Sequence, residues 1–445
     1  MKGPFRIFKT RNGRKVILFP FAKTFVETDE IGIAELRSWD SGQKVIQGSP
    51  FLENLEKRGL IDEIGKPLAN QAFNHPYLPT AVTLFPTLDC NLRCRYCYAS
   101  GGDRKTQMPL EIGKTAINYI AANALATDSK RISLTFHGGG EPTYYWEFIT
   151  AVTAYARTIA KVLDLSGSIH IGTNGVLDSA KIEWMIKNLD SATISIDGPQ
   201  DIHDAQRPMA DGTGSFLAVM NTVTRFQQSG FPFQIRTTVT STLLSRLHEF
   251  IEEMGTCIPS VRMHQLEPMF PTGRGAKLNE LAPPINEFSN AMRSIMLWAR
   301  NSKYPVMMSS CNISSSREYY CGSYGENFVV TPDGNVTTCY EVSSPSDPHW
   351  RLFHIGEYLQ SEGKFRVNSQ RVDDLRRKGV ADIAACGGCF ARFSCGGDCP
   401  VKRIALREHH TAEKRCQTIK MLTLEEAQYK LETAKHMDGG SLTGK

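Results

Sequence analysis

Thr87-Leu-Asp-Cys-Asn-Leu-Arg-Cys-Arg-Tyr-Cys-Tyr98 places three thiols, Cys90, Cys94 and Cys97, within eight residues. They are separated by three residues and then two, and no fourth cysteine or histidine lies nearby. A structural zinc site normally takes four protein ligands. A cubane iron–sulfur cluster normally takes four thiolates. Three thiolates on four irons leave one iron with an open position, the feature that separates a reactive centre from a closed one. The alternative is a zinc knuckle completed by a distant ligand.

Outward from this stretch, residues from about 80 to 305 alternate short β-rich runs with helical ones. The expected strands are Val82–Leu88, Ile132–Phe136, Ser168–Ile171, Ala192–Ile196, Gln234–Val239 and Val261–Leu266. Helical patterns fall near 110–126, 145–163, 179–188, 216–228, 243–254 and 285–300. Six β–α repeats predict an α/β fold with a parallel sheet curled into a partial, TIM-like (β/α)6 barrel. Chemistry in such barrels sits at the C-terminal ends of the strands. The three cysteines follow the first strand, and His137-Gly-Gly-Gly-Glu-Pro-Thr143 the second. Gly172-Thr-Asn-Gly175 follows the third, Asp197-Gly198 the fourth and Glu267-Pro268 the sixth, so the polar and glycine-rich motifs share one rim.

The Cys-x3-Cys-x2-Cys run, with Tyr96 before its last cysteine, resembles the signature of the radical S-adenosylmethionine (SAM) enzymes. The resemblance implies that the open iron takes the amino and carboxylate groups of SAM, and that an electron from the cluster cleaves SAM to methionine and a 5′-deoxyadenosyl radical. Gly139, Gly140, Glu141 and Pro142 match the family's Gly-Gly-Glu-Pro motif, which contacts the SAM amino group. Glycines let backbone approach a ligand closely, and a carboxylate or carbonyl accepts from an ammonium. Thr173 and Asn174 are placed like the residues that bond the ribose hydroxyls. Ser195 and Asp197 resemble the fourth-strand segment lining the SAM site, and Tyr96 of the cysteine motif is a further candidate SAM contact. Arg207 suits the planar SAM carboxylate; a surface ion pair is the other reading. For the remaining motifs the bland reading is loop capping. His264 and Glu267 are positioned to face substrate from the sixth strand.

From 305 onward the chain becomes glycine- and cysteine-rich. Cys321-x12-Gly334-x4-Cys339 is followed by Cys386-x2-Cys389-x5-Cys395-x3-Cys399 and then Cys416. This resembles the SPASM domain, which carries auxiliary iron–sulfur clusters. With Cys311 the array has the eight thiols that two full clusters need. The resemblance implies Cys311, Cys321, Cys339 and Cys399 on one cluster and Cys386, Cys389, Cys395 and Cys416 on the other, three 4Fe–4S clusters in all. Gly387, Gly388, Gly396 and Gly397 would let backbone N–H groups turn toward cluster sulfurs. A set of zinc knuckles is the alternative. Tyr340 and Glu341, directly after Cys339, are candidate proton acceptors; a packed tyrosine and a solvated glutamate are their bland readings. Cys257 reads as a buried structural thiol.

Residues 1–80 read as a separate module. Two strands, Phe5–Phe8 and Val16–Phe19, flank a hairpin signal at Asn12-Gly13. A polar, acidic stretch near Glu27–Glu30 precedes a helix over Ile33–Trp39, and Phe51, Leu52 and Leu55 share a face of a second helix that Gly59 ends. This order resembles the winged-helix element that binds leader peptides by β-augmentation; a cap on the barrel is the other reading. The expected organisation is therefore 1–80 leader-recognition-like module, 81–305 radical SAM barrel, 306–425 SPASM domain and 426–445 flexible tail.

With 12 cysteines, 41% hydrophobic residues and a net charge of +5 over 445 residues, composition is that of a globular chain using thiols for metal rather than disulfides. No apolar run reaches the roughly 18–20 residues of a membrane span, and the N-terminus lacks a secretory pattern. A cytoplasmic setting is expected. Charge gives nucleic acid no support. The resemblance implies a maturase that cross-links residues of a ribosomally made precursor peptide through thioether or carbon–carbon bonds, fed by a flavodoxin- or ferredoxin-like electron donor. The rivals are an anaerobic sulfatase-maturase-like oxidation of Cys or Ser to formylglycine, and radical modification of a small molecule. Sulfatase maturases carry an Asp right after the cysteine equivalent to Cys339, where this chain has Tyr340.

Overall fold

Every second side chain of Phe233–Val239 is buried, with Phe233, Ile235, Thr237 and Val239 on one face and Gln234, Arg236 and Thr238 on the other. That alternation repeats through the neighbouring strands and marks a sheet whose apolar face lies under helices while its polar face stays partly open. The computed structural model describes residues 5–9, 13, 15–19, 24–42, 48–61, 75–311, 317–408 and 412–434. They fall into two compact units.

The first unit comprises His75–Met308 and Gly322–Arg376. Its six parallel strands are β4 Ala81–Leu84, β5 Arg131–Phe136, β6 Ser166–Thr173, β7 Ser191–Ser195, β8 Phe233–Val239 and β9 His264–Pro268, adjacent in chain order. β10 Val306–Met307 adds parallel to β9. On the other side β11 Val329–Val330 runs parallel to β4, then β12 Asn335–Thr337, β13 His354–Leu359 and β14 Lys364–Val367 continue antiparallel. One 11-stranded sheet thus carries the partial barrel. The crossover helices are α3 Leu110–Ala126, α4 Trp146–Val162, α5 Ser179–Asn188, α6 Gln200–Gln206, α7 Phe216–Ser229, α8 Ser241–Leu244, α9 Leu247–Cys257 and α10 Ile285–Ser302. Their limits follow local chemistry: the Asp178 carboxylate accepts from Lys181 N at 2.8 Å to open α5, and Gly230, at φ 68°, closes α7.

The sixth strand lies about three residues later than expected. Ile258–Val261 forms a turn closed by the Val261 N to Ile258 O bond, so Val261 buries its side chain from a loop. Glu267 and Pro268 consequently end β9 rather than follow it. His264 begins β9 at the end opposite the rim and is fully buried, with Nε2 to Thr237 Oγ1 at 2.8 Å and Nδ1 to the Tyr304 hydroxyl at 3.0 Å. It does not face substrate. Cys257, expected to be buried, is exposed at the end of α9, whose inward face is Leu247, Phe250, Ile251 and Met254.

The second unit comprises Met1–Asn74, Ser309–Cys321 and Arg377–Lys445. Its N-terminal part is a three-stranded antiparallel sheet, β1 Arg6–Lys9, β2 Lys15–Phe19 and β3 Thr24–Thr28, followed by α1 Glu30–Asp40 and α2 Pro50–Lys57. The sequence reading missed β3, because an edge strand burying only Val26 resembles a polar loop. The register pairs Lys9 with Lys15; Asn12 of the expected Asn12-Gly13 turn lies outside the described residues. Asp29 caps α1 through Gly32 N and Ser49 caps α2 through Leu52 N. Ile17, Phe19, Val26, Leu36, Trp39, Leu52 and Leu55 form one small core. A long helix, Ala412–Ala434, runs past residue 425, and the last eleven residues lie outside the described ones. Among the described residues no helix is long and apolar enough to cross a membrane.

Truncating a fully buried side chain of this small core leaves a cavity it cannot close. Leu52→Ala is expected to cost about 2–5 kcal/mol of module stability, read as a lower urea midpoint.

Candidate active site

The chain leaves β4 into a loop with no regular backbone pairing of its own, and local side chains shape it. Thr87 Oγ1 accepts from Asp89 N at 3.0 Å and Asp89 Oδ1 accepts from Cys90 N at 2.8 Å. Two sulfurs receive backbone donors, Leu92 N to Cys90 Sγ and Gly101 N to Cys97 Sγ, each at 3.4 Å. Such donors favour thiolate and tune a bound cluster. Burial pushes the Cys90 thiol up to about 12, with Glu141 adding to it. Cys94 rises to about 11 through burial, against the pull of Arg207. Ligation therefore has to displace protons from both thiols.

The glycine-rich turn after β5 packs against this loop. Gly140 N donates to Thr87 O at 2.8 Å and Glu141 N to Asp89 O at 2.9 Å. A Cβ on Gly140 would lie 1.9 Å from Asp89 O, and one on Gly139 would lie 2.7 Å from Leu88 Cδ2. These glycines thus serve a backbone–backbone contact with the cysteine loop. The buried Glu141 carboxylate accepts from Thr143 N (3.1 Å), Thr143 Oγ1 (2.7 Å), Thr173 Oγ1 (2.7 Å) and Asn174 N (2.7 Å). Burial raises its pKa while these donors pull the other way. The Asn174 side chain donates to Asn91 Oδ1 at 2.8 Å and accepts from Val176 N at 2.9 Å. Pro142 opens the one-turn helix Pro142–Tyr144.

Tyr96, Asp197 and Arg207 converge. The Tyr96 hydroxyl donates to Asp197 Oδ2, and Arg207 Nη1 donates to the Tyr96 oxygen at 2.8 Å and to Asp197 Oδ2 at 3.4 Å. Thr238 N fills Asp197 Oδ1 at 2.7 Å. Burial raises the Asp197 pKa and Arg207 opposes it. Arg207 Nε is buried without a hydrogen-bond partner. Behind them, Asp197 N donates to His203 Nδ1 at 3.2 Å, so His203 carries its proton on Nε2 and donates to Ser215 Oγ at 3.1 Å. Ser215 in turn donates to Arg207 O at 2.6 Å. Burial drops His203 to about 3, which keeps it neutral. Sequence reasoning missed His203 and Ser215; the short His203-to-Ser215 spacing around Arg207 was the available signal.

Ser195 is half-buried at the end of β7. Tyr340 is 38% exposed, stacks on His137 with ring centroids 5.0 Å apart, and accepts from Thr83 Oγ1 at 3.4 Å. Glu341 lies half-buried and adds to the upward push that burial gives the Tyr98 phenol. Cys339 belongs to this same unit.

In the other unit Cys386, Cys389, Cys395 and Cys416 are electrostatic neighbours. Burial raises the Cys386 thiol, with Cys389 and Cys416 adding to it. It also raises Cys395, beside Asp398, Cys311, Cys386 and Cys416. Gly396 and Gly397 take φ 65° and 85°, and a Cβ on Gly396 would meet the Tyr319–Tyr320 peptide at 2.7 Å. Asp398 and Arg415 form a buried two-pronged ion pair, 2.5 Å and 3.0 Å, with Ser310 Oγ on the carboxylate at 2.7 Å. Each of these three residues directly precedes a cysteine, namely Cys311, Cys399 and Cys416.

Despite its burial, Asp398 is held at about 2 by Arg415 and Ser310. A depressed carboxylate stabilises above its unfolded pKa near 4 and loses that contribution as pH falls toward 2. Asp398→Asn is expected to cost about 3–5 kcal/mol at neutral pH by leaving Arg415 buried and unpaired, and to flatten the acid limb of the stability profile. Gly140→Ala is expected to lower the iron retained by the purified chain, because the loop and turn can no longer close together.

Residues 84–254 match the model of the Radical SAM superfamily. The sporulation killing factor maturation protein SkfB of Bacillus subtilis is 26% identical over 226 residues, half the length of either chain. Among solved structures, native anSMEcpe with bound AdoMet superposes with a TM-score of 0.62 at 18% identity, over 80% of this chain and all of that one. Streptococcus suis SuiB bound to precursor peptide SuiA gives 0.51 at 11% identity, over 91% and 96%. The three-cysteine loop, its glycine turn and the superfamily match together identify residues 84–254 as the radical SAM domain of an enzyme that uses SAM and a 4Fe–4S cluster.

Proposed function

We propose that this chain is a radical SAM/SPASM maturase that oxidatively cross-links residues of a ribosomally made precursor peptide. The observation that carries the reading is the joining, on one rim, of the cysteine loop to the Gly139–Pro142 turn and to the Tyr96–Asp197–Arg207 cluster. The names of SkfB and of SuiB with its precursor peptide point to peptide maturation.

Cys90, Cys94 and Cys97 would hold the SAM cluster, and Arg207 Nε is the buried donor left for the SAM carboxylate. Four donors already engage the Glu141 carboxylate, three on Oε1 and one on Oε2, and the carbonyls of its turn would accept from the SAM ammonium beside it. Thr173 and Asn174 then reach the ribose only through groups not committed to Glu141 and Asn91; Ser195 lines the same edge. When bound there, the cluster and SAM would supply a 5′-deoxyadenosyl radical able to remove a hydrogen atom from a peptide C–H bond. Closing the new bond releases a proton and an electron. Glu341 is the proton acceptor in this reading, with its chain neighbour Tyr340, stacked on His137, as a wall. Cys311, Cys321, Cys339 and Cys399, and Cys386, Cys389, Cys395 and Cys416, would hold two auxiliary 4Fe–4S clusters, which would offer a route out for that electron, while a flavodoxin- or ferredoxin-like protein would be the donor to the SAM cluster. The N-terminal sheet with its two helices would receive the leader as an added strand.

The test is anaerobic turnover of the reconstituted chain with SAM, reductant and a short peptide encoded beside its gene. Peptide mass falling by two hydrogens per cross-link, with 5′-deoxyadenosine formed, is expected. Deoxyadenosine without peptide change would turn the reading toward formylglycine or small-molecule chemistry. Glu341→Gln is expected to slow cross-linking about a hundredfold or more, the usual worth of a positioned base, while deoxyadenosine formation persists.

A further inference from the structure

The loop bearing Cys90, Cys94 and Cys97 leaves each cysteine's own carbonyl outside any helix or strand, and arginine takes all three. Arg93 Nη1 donates to Cys90 O at 2.6 Å and Leu92 O at 2.8 Å, and its Nη2 to Gly102 O at 3.3 Å. Arg274, some 180 residues further on, donates from its backbone N to Cys97 O at 2.9 Å and from Nη1 to Cys94 O at 3.1 Å. Its Nη2 reaches Gly101 O at 2.9 Å and Asp103 Oδ1 at 2.5 Å. The flanking glycines are required for this approach. Gly273 has φ 53°, and a Cβ there would lie 2.1 Å from Tyr98 O; one on Gly275 would lie 3.0 Å from Tyr96 Cα.

We propose that Gly273-Arg274-Gly275 is a clasp, with Arg274 and its partner Asp103 as positioning residues that hold the cysteine loop in its cluster-binding shape. The proposal rests on the reading of these cysteines as ligands. The guanidinium fork is what the job needs. One planar group must bond two carbonyls and a carboxylate at once, and a lysine ammonium on a flexible stem does not hold that geometry. Asp103 fixes the fork in place by accepting from Arg274 Nη2. Arg274 touches backbone, so it acts on chemistry only through the loop.

The test uses the full chain, reconstituted without oxygen, in the parent, Arg274→Lys, Arg274→Gln and Asp103→Asn forms. Iron per chain, the electron paramagnetic resonance signal of the reduced protein with and without SAM, and iron loss to a chelator are read together. Arg274→Gln is expected to lose about four irons per chain along with the SAM-responsive signal, and Arg274→Lys to do nearly the same despite its charge. Asp103→Asn, a mild surface change, is expected to keep its iron but release it to chelator several-fold faster. Circular dichroism matching the parent establishes that each variant is folded. Parent-like iron, SAM response and chelator rate in folded Arg274→Gln would overturn the clasp. A parent signal that ignores SAM would instead count against the ligand reading of the loop.

Discussion

The irregular loop bearing Cys90, Cys94 and Cys97 satisfies only part of its own backbone, and the rest of the barrel rim is arranged around that constraint. Buried N–H and C=O groups need partners. Residues 87–103 supply some of these themselves, as in Cys97 N to Cys94 O, Ser100 N to Cys97 O and Gly102 N to Leu88 O, and others come from elsewhere: Gly140 N to Thr87 O, Glu141 N to Asp89 O, Arg93 N to Pro208 O, Arg95 N to Gln206 O and Ala210 N to Asn91 O. Each strand-end segment that resembles a SAM contact is therefore also a wall of the loop. Ligand binding and loop shape are one property here, which explains why a methyl group at Gly140 is not tolerated sterically.

Charge is handled in pairs on the same principle. Asp197 and Arg207 are both buried, and neither would be stable there without the other. Their attachment to Tyr96 ties the fourth-strand end to the cysteine loop, and the neutral His203 behind them adds a hydrogen bond without adding charge. Asp398 and Arg415 repeat the arrangement in the other unit, next to three cysteines. A pair of opposite charges buried beside a prospective anionic cluster fixes geometry while adding little net field.

The parallel core was legible because its signals are strong and local. α3 and α5 match the predicted limits, since long amphipathic runs and an Asp cap at Asp178 leave little ambiguity. The cysteines, the glycine turn and the rim motifs were equally readable, being short and chemically distinctive. What escaped depends on contacts remote in sequence. β3 exposes nearly everything but Val26, β9 begins after a turn that borrows an apolar Val261, and the β11–β14 extension is built from strands of two to six residues. Arg274 sits in an unremarkable Gly-Arg-Gly, and only the fold brings it to Cys94 and Gly101.

The polar inner face of the sheet bears on what substrate the barrel admits. Ser133 and Ser168 bond each other at 3.1 Å, and His170 bonds Ser191 and Thr193 at 2.8 Å and 3.1 Å. These pairs let a polar face line an interior without unmet hydrogen bonds, where an apolar face would have filled with packed side chains. Toward the rim this lining gives way to Thr83, His137, Tyr340 and Glu341, a rigid aromatic pair beside one carboxylate. Such a lining offers hydrogen-bonding side chains along the sheet and a stacked ring pair toward the rim. It is this polar lining, rather than a closed apolar pocket, that the proposed peptide reading draws on.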